Sequence, residues 1–142
     1  MDKDTHCNRK KKFKTYKKGQ VVYADLGRKA PGVQGGVRPC IVVSRDKSNH
    51  MYAPQISVCP LSSKLKDNLV HVRVHPYDVN GFHLRTESDC LPEDIQTIPK
   101  SAVIGAIGYV REESGVMAKL DAAMIIHFGL QDAFPVVAGG EE

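Results

Sequence analysis

Gln34-Gly35-Gly36-Val37-Arg38-Pro39-Cys40-Ile41-Val42-Val43 joins a glycine-rich loop to an apolar strand. The run Cys40–Val43 is short, rich in β-branched residues and free of charge, the pattern of a strand buried on both faces. Pro39 cannot donate a ladder hydrogen bond, so it belongs at the strand's start or at an edge. Arg38 is thereby placed at the mouth of the sheet, beside the glycines. Upstream, residues 27–36 hold four glycines and one proline in ten positions, which predicts a loop.

Outward from that stretch the chain reads as many short strands. Gln20–Leu26 is rich in β-formers, Gln55–Leu61 is a third strand, and Leu69–Val74 alternates at period two. Asp78-Val79-Asn80-Gly81 predicts a turn, and Ser88–Leu91, Ile95–Ile98 and Ile107–Val110 are further short strands. Pro99–Gly105 starts like a single helical turn with proline at its first position. One long helix is predicted near the C-terminus. Ser114 caps it, Met117, Leu120, Met124 and Phe128 form its apolar stripe, and Gly129 ends it. These elements predict a mainly β (α+β) fold, a curled barrel or half-barrel with a late helix.

The 142 residues are 42% hydrophobic, which suits one domain with a real core. No apolar run is long enough to span a bilayer, and no apolar segment follows the basic N-terminus as a secretory signal would require. Cys7, Cys40, Cys59 and Cys90 are spread singly without a C-x-x-C, which fits reduced thiols and a cytoplasmic location. The net charge of +4 is concentrated in residues 1–18, which carry eight Lys/Arg against two Asp; the remainder is mildly acidic. Residues 1–18 are therefore expected to be a basic flexible tail suited to phosphate contacts, and residues 132–142 a flexible C-terminal tail. The folded domain is expected over residues 19–131.

Two clusters could carry chemistry. In Gln34-Gly35-Gly36-Val37-Arg38, paired glycines allow close approach of backbone amides to a ligand, and the guanidinium adds a planar donor fork that fits phosphate oxygens. Ser62-Ser63-Lys64 places two hydroxyls and an ammonium at a strand end. No metal site is expected. His71 and His75, four apart on a strand, would share a face yet stand about 13 Å apart, too far for one ion. His127 is expected to be partly buried on the helix, and Asp89, Glu93 and Asp94 read as a solvated turn.

Taken in order, these segments resemble the MazF/PemK family of toxin endoribonucleases. Gly19–Leu26 is similar to its opening strand, Gln34–Val43 to its Q-G-G-x-R-P signature, and Pro54–Lys64 to the segment that ends in a hydroxyl pair. Ile95–Lys100 and Phe128-Gly129-Leu130 match its later motifs, so the resemblance runs over residues 19–130. It implies an SH3-like β-barrel of the CcdB/PemK type with a C-terminal helix, working as a homodimer. It implies a toxin that cleaves single-stranded RNA or mRNA, usually at a short sequence, without a metal or other cofactor. A cognate antitoxin would restrain it with an acidic segment laid across the dimer groove. In that reaction the ribose 2′-OH attacks the neighbouring phosphorus, leaving a 2′,3′-cyclic phosphate and a 5′-OH. Carried over, Arg38 and Ser62 are the catalytic pair, and Gln34, Gly35, Gly36, Ser63 and Lys64 border the substrate. Three positions depart from the family pattern: Ser62 stands for the commoner threonine, Val33 for glutamate, and Asp94 for glutamine. Two alternatives share the barrel, a CcdB-like inhibitor of topoisomerase (gyrase) and an RNA-binding module that does not cut. The first is built around a C-terminal tryptophan, and this chain has no Trp.

Overall fold

Strands β1 (Gln20–Asp25) and β2 (Val37–Val42) form the centre of a curled antiparallel sheet in the computed structural model, which describes residues 11–65, 70–81 and 84–133. The register sets Val21 opposite Ile41 and Ala24 opposite Arg38. The other strands are β3 (Gln55–Ser62), β4 (Val72–Val74), β5 (Val79–Gly81), β6 (Ser88–Cys90), β7 (Gln96–Pro99) and β8 (Val103–Val110). They are ordered β4-β6-β3-β2-β1-β8-β5, with β7 also paired to β3.

β3 changes partner along its length. Gln55–Val58 pair with β7, whereas Leu61 and Ser62 pair with β6. Pro60 stands at the changeover; it has no N–H to donate, and its carbonyl accepts from Leu91 N at 3.3 Å. Two register irregularities in the β1–β8 pairing add curl on the other side.

Because the sheet curls, its central strands are covered on both faces. Val21, Ile41, Cys59, Leu61, Val74 and Cys90 face one core, which the helix closes. Val22, Ala24, Cys40, Val42, Ile56, Val58 and Ile98 face a second. The both-faces burial expected for Cys40–Val43 is therefore observed. Each fully buried Val, Leu or Ile contributes about 1.5–3 kcal/mol.

The helix, α1 (Val116–His127), packs on β4 and on the 3-10 turn Pro92–Asp94. Gly115, not Ser114, holds the N-cap position, with φ +77°. Ser114 still serves from one residue earlier, since its Oγ accepts from Val116 N at 3.1 Å. The buried stripe is Val116, Leu120 and Ala123; Met117 and Met124 pack at its edge, and Phe128 is exposed. Gly129 takes the left-handed conformation expected of it, φ +67°. Val79–Gly81, expected in a turn, pairs with β8 instead. β8 is twice as long as expected, following directly on the 3-10 turn Lys100–Ala102.

The basic segment also differs from expectation. From Lys11 onward it lies on the barrel: Phe13 N donates to Met51 O at 2.6 Å, and Tyr16 is buried in the second core. Its latch is Lys100, whose buried ammonium donates to the carbonyls of Lys14, Asn49 and His50 at 2.6, 3.3 and 2.8 Å. The same ammonium stands 6.0 and 5.8 Å from the Phe13 and Tyr16 ring centres. Two aromatic side chains among the lysines provide the apolar area that holds the segment down. Of the C-terminal segment, Gln131–Ala133 form a 3-10 turn, and residues 134–142 lie outside the described residues.

Candidate functional site

Arg38 is the second residue of β2 and is half-buried. Its Nε donates to Gly35 O at 2.9 Å and its Nη1 to Leu61 O at 3.2 Å. The guanidinium thus ties the end of the glycine loop to the residue before Ser62. Two carbonyls orient the fork, and its other N–H groups are left for an anion.

The glycine loop is closed by backbone. Gly36 N donates to Gly27 O at 2.8 Å, and Leu26 N to Gly36 O at 2.9 Å. A Cβ on Gly35 would meet Gly27 O at 2.6 Å, so no side chain fits there. Gly36 has φ +74°, a region that favours glycine. The two glycines serve by shape, and Gly35 also supplies the carbonyl that holds Arg38.

Ser62 ends β3, opposite Asp89, and is buried. Its Oγ accepts from Lys64 N at 3.2 Å, which leaves the hydroxyl hydrogen available to donate. Ser62 borders a cavity of about 80 Å³ with Gly32, Gln34, Lys64, His71, Leu91, Glu93 and Asp94. Gln34 is pinned from the far side: Gln96 Nε2 donates to its carbonyl at 2.9 Å, and Asp94 accepts its N–H. Burial raises the Asp94 carboxyl above its usual value, and neighbouring Glu93 raises it further; the Gln34 N–H, His71 and Arg38 act the other way.

Of the residues singled out in the sequence, Arg38, Ser62, Gln34 and Lys64 meet at adjoining strand ends. Ser63 is exposed and outside the cavity lining. The sequence reading missed two lining residues, His71 and Glu93, whose Nε2 and Oε2 are 2.5 Å apart. Glu93 does lie in an exposed turn as expected, but that turn, Pro92–Asp94, brings its carboxylate onto His71 at the start of β4. The alternation Leu69–Val74 put His71 beside an apolar stripe, but nothing local marks its partner 22 residues away. Asp89 is likewise engaged, with Arg73 Nε at 2.6 Å. Among the described residues no three His, Cys, Asp or Glu side chains gather where a metal could bind, and no helix is long and apolar enough to cross a membrane. Cys40, Cys59 and Cys90 are buried free thiols, and burial pushes Cys40 up to about 12.

A family profile described as PemK-like, MazF-like toxin of type II toxin-antitoxin system matches residues 17–128. The chain belongs to the PemK/MazF toxin family. It is 30% identical over 116 residues to Endoribonuclease EndoA of Bacillus subtilis, covering 82% of this chain and 97% of that protein. Among solved structures it is similar to MazF from Deinococcus radiodurans, with TM-score 0.67, 19% identity and coverage of 82% and 99% of the two chains. It is also similar to a mycobacterial endoribonuclease in complex with its cognate antitoxin, with TM-score 0.65, 22% identity and coverage of 82% and 97%. The barrel-with-helix architecture expected from the sequence is thus the PemK/MazF architecture, reached here with an N-terminal segment latched to its surface.

Proposed function

We propose that this PemK/MazF toxin is a metal-independent endoribonuclease that cuts single-stranded RNA and thereby blocks translation. The observation that carries this is a backbone-held guanidinium tied to Leu61 O, next to the buried Ser62 hydroxyl that borders the cavity. In-line attack of a 2′-OH puts extra negative charge on the phosphorane oxygens, and fixed donors there stabilise it without reorganisation. Arg38 clamps the scissile phosphate, and the Ser62 hydroxyl donates to a non-bridging oxygen. The P–O2′ bond forms, the P–O5′ bond breaks, and the products are a 2′,3′-cyclic phosphate and a 5′-OH. Gln34 and Lys64 line the path of the strand, Gly35 and Gly36 shape the loop beside it, and Ser63 borders it from outside. A carboxylate base at residue 33 is unavailable, because that residue is Val33.

A cytoplasmic homodimer restrained by a cognate antitoxin completes this reading. The likeness to a toxin solved with its antitoxin supports the partner. The test is incubation of purified protein with a long single-stranded RNA in EDTA, beside R38A and S62A. Discrete 5′-OH ends made by wild type and lost in both variants are expected. Intact RNA with folded wild-type protein would turn the assignment toward a topoisomerase-binding or non-cutting module.

A further inference from the structure

The Arg38–Ser62 pair supplies charge and hydrogen bonds but no group suited to take the 2′ proton, since a guanidinium stays protonated near neutrality. Three carboxyl or imidazole groups border the same cavity: His71, Glu93 and Asp94. Asp94 is occupied with the Gln34 N–H, holding the loop. His71 has its Nε2 engaged by Glu93 and its Nδ1 shut away from solvent, so neither nitrogen is open to a nucleic acid. Glu93 is the middle residue of the turn Pro92–Asp94, and its side chain is 37% exposed at the cavity rim.

We propose that Glu93 is the general base of the cleavage and that His71 is the residue that positions it. This rests on the nuclease reading above. The Glu93 carboxylate takes the proton of the 2′-OH as O2′ bonds to phosphorus; the P–O5′ bond breaks, and the departing 5′ oxygen takes a proton from water. An ionised carboxylate only accepts, so the 2.5 Å contact places the proton on His71 Nε2 and fixes that ring tautomer. His71 Nδ1 is then shut away from solvent and has no partner among the described residues. Leaving such a buried polar atom unmatched is unfavourable, and the site tolerates it while the other nitrogen anchors a carboxylate. A glutamate has three side-chain torsions. Held by a buried ring, it presents one carboxylate orientation to the cavity that Ser62 shares.

The charged and titratable groups facing Glu93 are His71, its neighbour Asp94, Lys64 across the cavity and, beyond Asp94, Arg38. The experiment is single-turnover cleavage of a single-stranded RNA by full-length E93Q, H71A and H71Q across pH 5 to 9, with melting curves for each. General base catalysis is typically worth ~10²–10⁴ in rate, so E93Q is expected to fall about 100-fold or more and to lose the acidic limb of the pH–rate profile. H71A is expected to fall about tenfold with that limb displaced, and H71Q, whose amide N–H still donates, to recover much of both. Folded E93Q within threefold of wild type would overturn the role of Glu93. H71A or H71Q with a wild-type rate and profile would overturn that of His71. Wild-type protein that leaves RNA whole would overturn the nuclease reading itself, a result distinct from cleavage that ignores Glu93.

Discussion

Arg38 shows how one side chain's role depends on what the backbone leaves it to do. Two of its donors are already matched by Gly35 O and Leu61 O, so the guanidinium plane is set before any substrate arrives. A lysine keeps the charge but cannot span both carbonyls. R38A is expected to lower cleavage by about 10³ and R38K by nearly as much, read as initial rates on one RNA. Losing a single transition-state donor typically costs about 10²–10³, so S62A should fall in that range. S62T, which restores the β-methyl that restricts the rotamer, should cut at least as fast as wild type; a dead S62T would argue that the cavity has no room for that methyl. Asp94 carries a pH prediction. Its folded carboxyl titrates above the usual 3.8, so the folded state binds the extra proton in that window and stability falls as pH rises through it. D94N keeps an acceptor for the Gln34 N–H without the charge. It is expected to melt higher than wild type at pH 7 and to lose that advantage below pH 4.

At the scale of elements, β3 links the two ends of the molecule. Pro54 O, just before it, accepts from Lys100 N, and Ser62 at its far end borders the cavity. Eight residue steps at about 3.3 Å put the two roughly 26 Å apart. The Lys100 latch is therefore structural and remote from the cut site. Burial lowers the Lys100 pKa, yet its ammonium is matched by three carbonyls that would otherwise lack this donor. K100M is expected to lose about 2 kcal/mol, or ~5 °C in melting temperature, with single-turnover cleavage of a short RNA within threefold of wild type. The same element scale shows what was legible. β2 announced its two buried faces through Cys40–Val43, and Gly129 announced the helix end. The helix phase did not follow: Met117, Met124 and Phe128 fit a 3.6-residue period, but Val116 and Ala123 fit it too, rotated by about one residue. Which stripe is buried was settled by where β4 and the Pro92–Asp94 turn stand against the helix.

For the whole molecule, an apolar surface remains outside the two cores at the end of α1. Ile125, Ile126, Phe128 and Leu130 are all exposed there. In a reading with two copies of this chain, that surface is the part of the partner interface on the helix. I126E with F128E is expected to shift the protein from dimer to monomer in sedimentation equilibrium; an unchanged dimer would place the interface elsewhere on the barrel.

The local chemistry of this sequence determined that the chain makes short strands and one late helix, that a glycine loop leads into Arg38, and that Ser62 stands at a strand end. Those properties depend on residues within a few positions of one another, through torsional preference, hydrogen-bond donors and hydrophobic period. The tertiary structure decided the rest. It brought His71 to Glu93 across 22 residues and Lys100 to Lys14 across 86. It also turned a charged segment into a latched one and chose the face that α1 buries. Such pairings depend on how far the sheet curls and where β3 changes partner, and curl is the sum of contacts made by every strand at once.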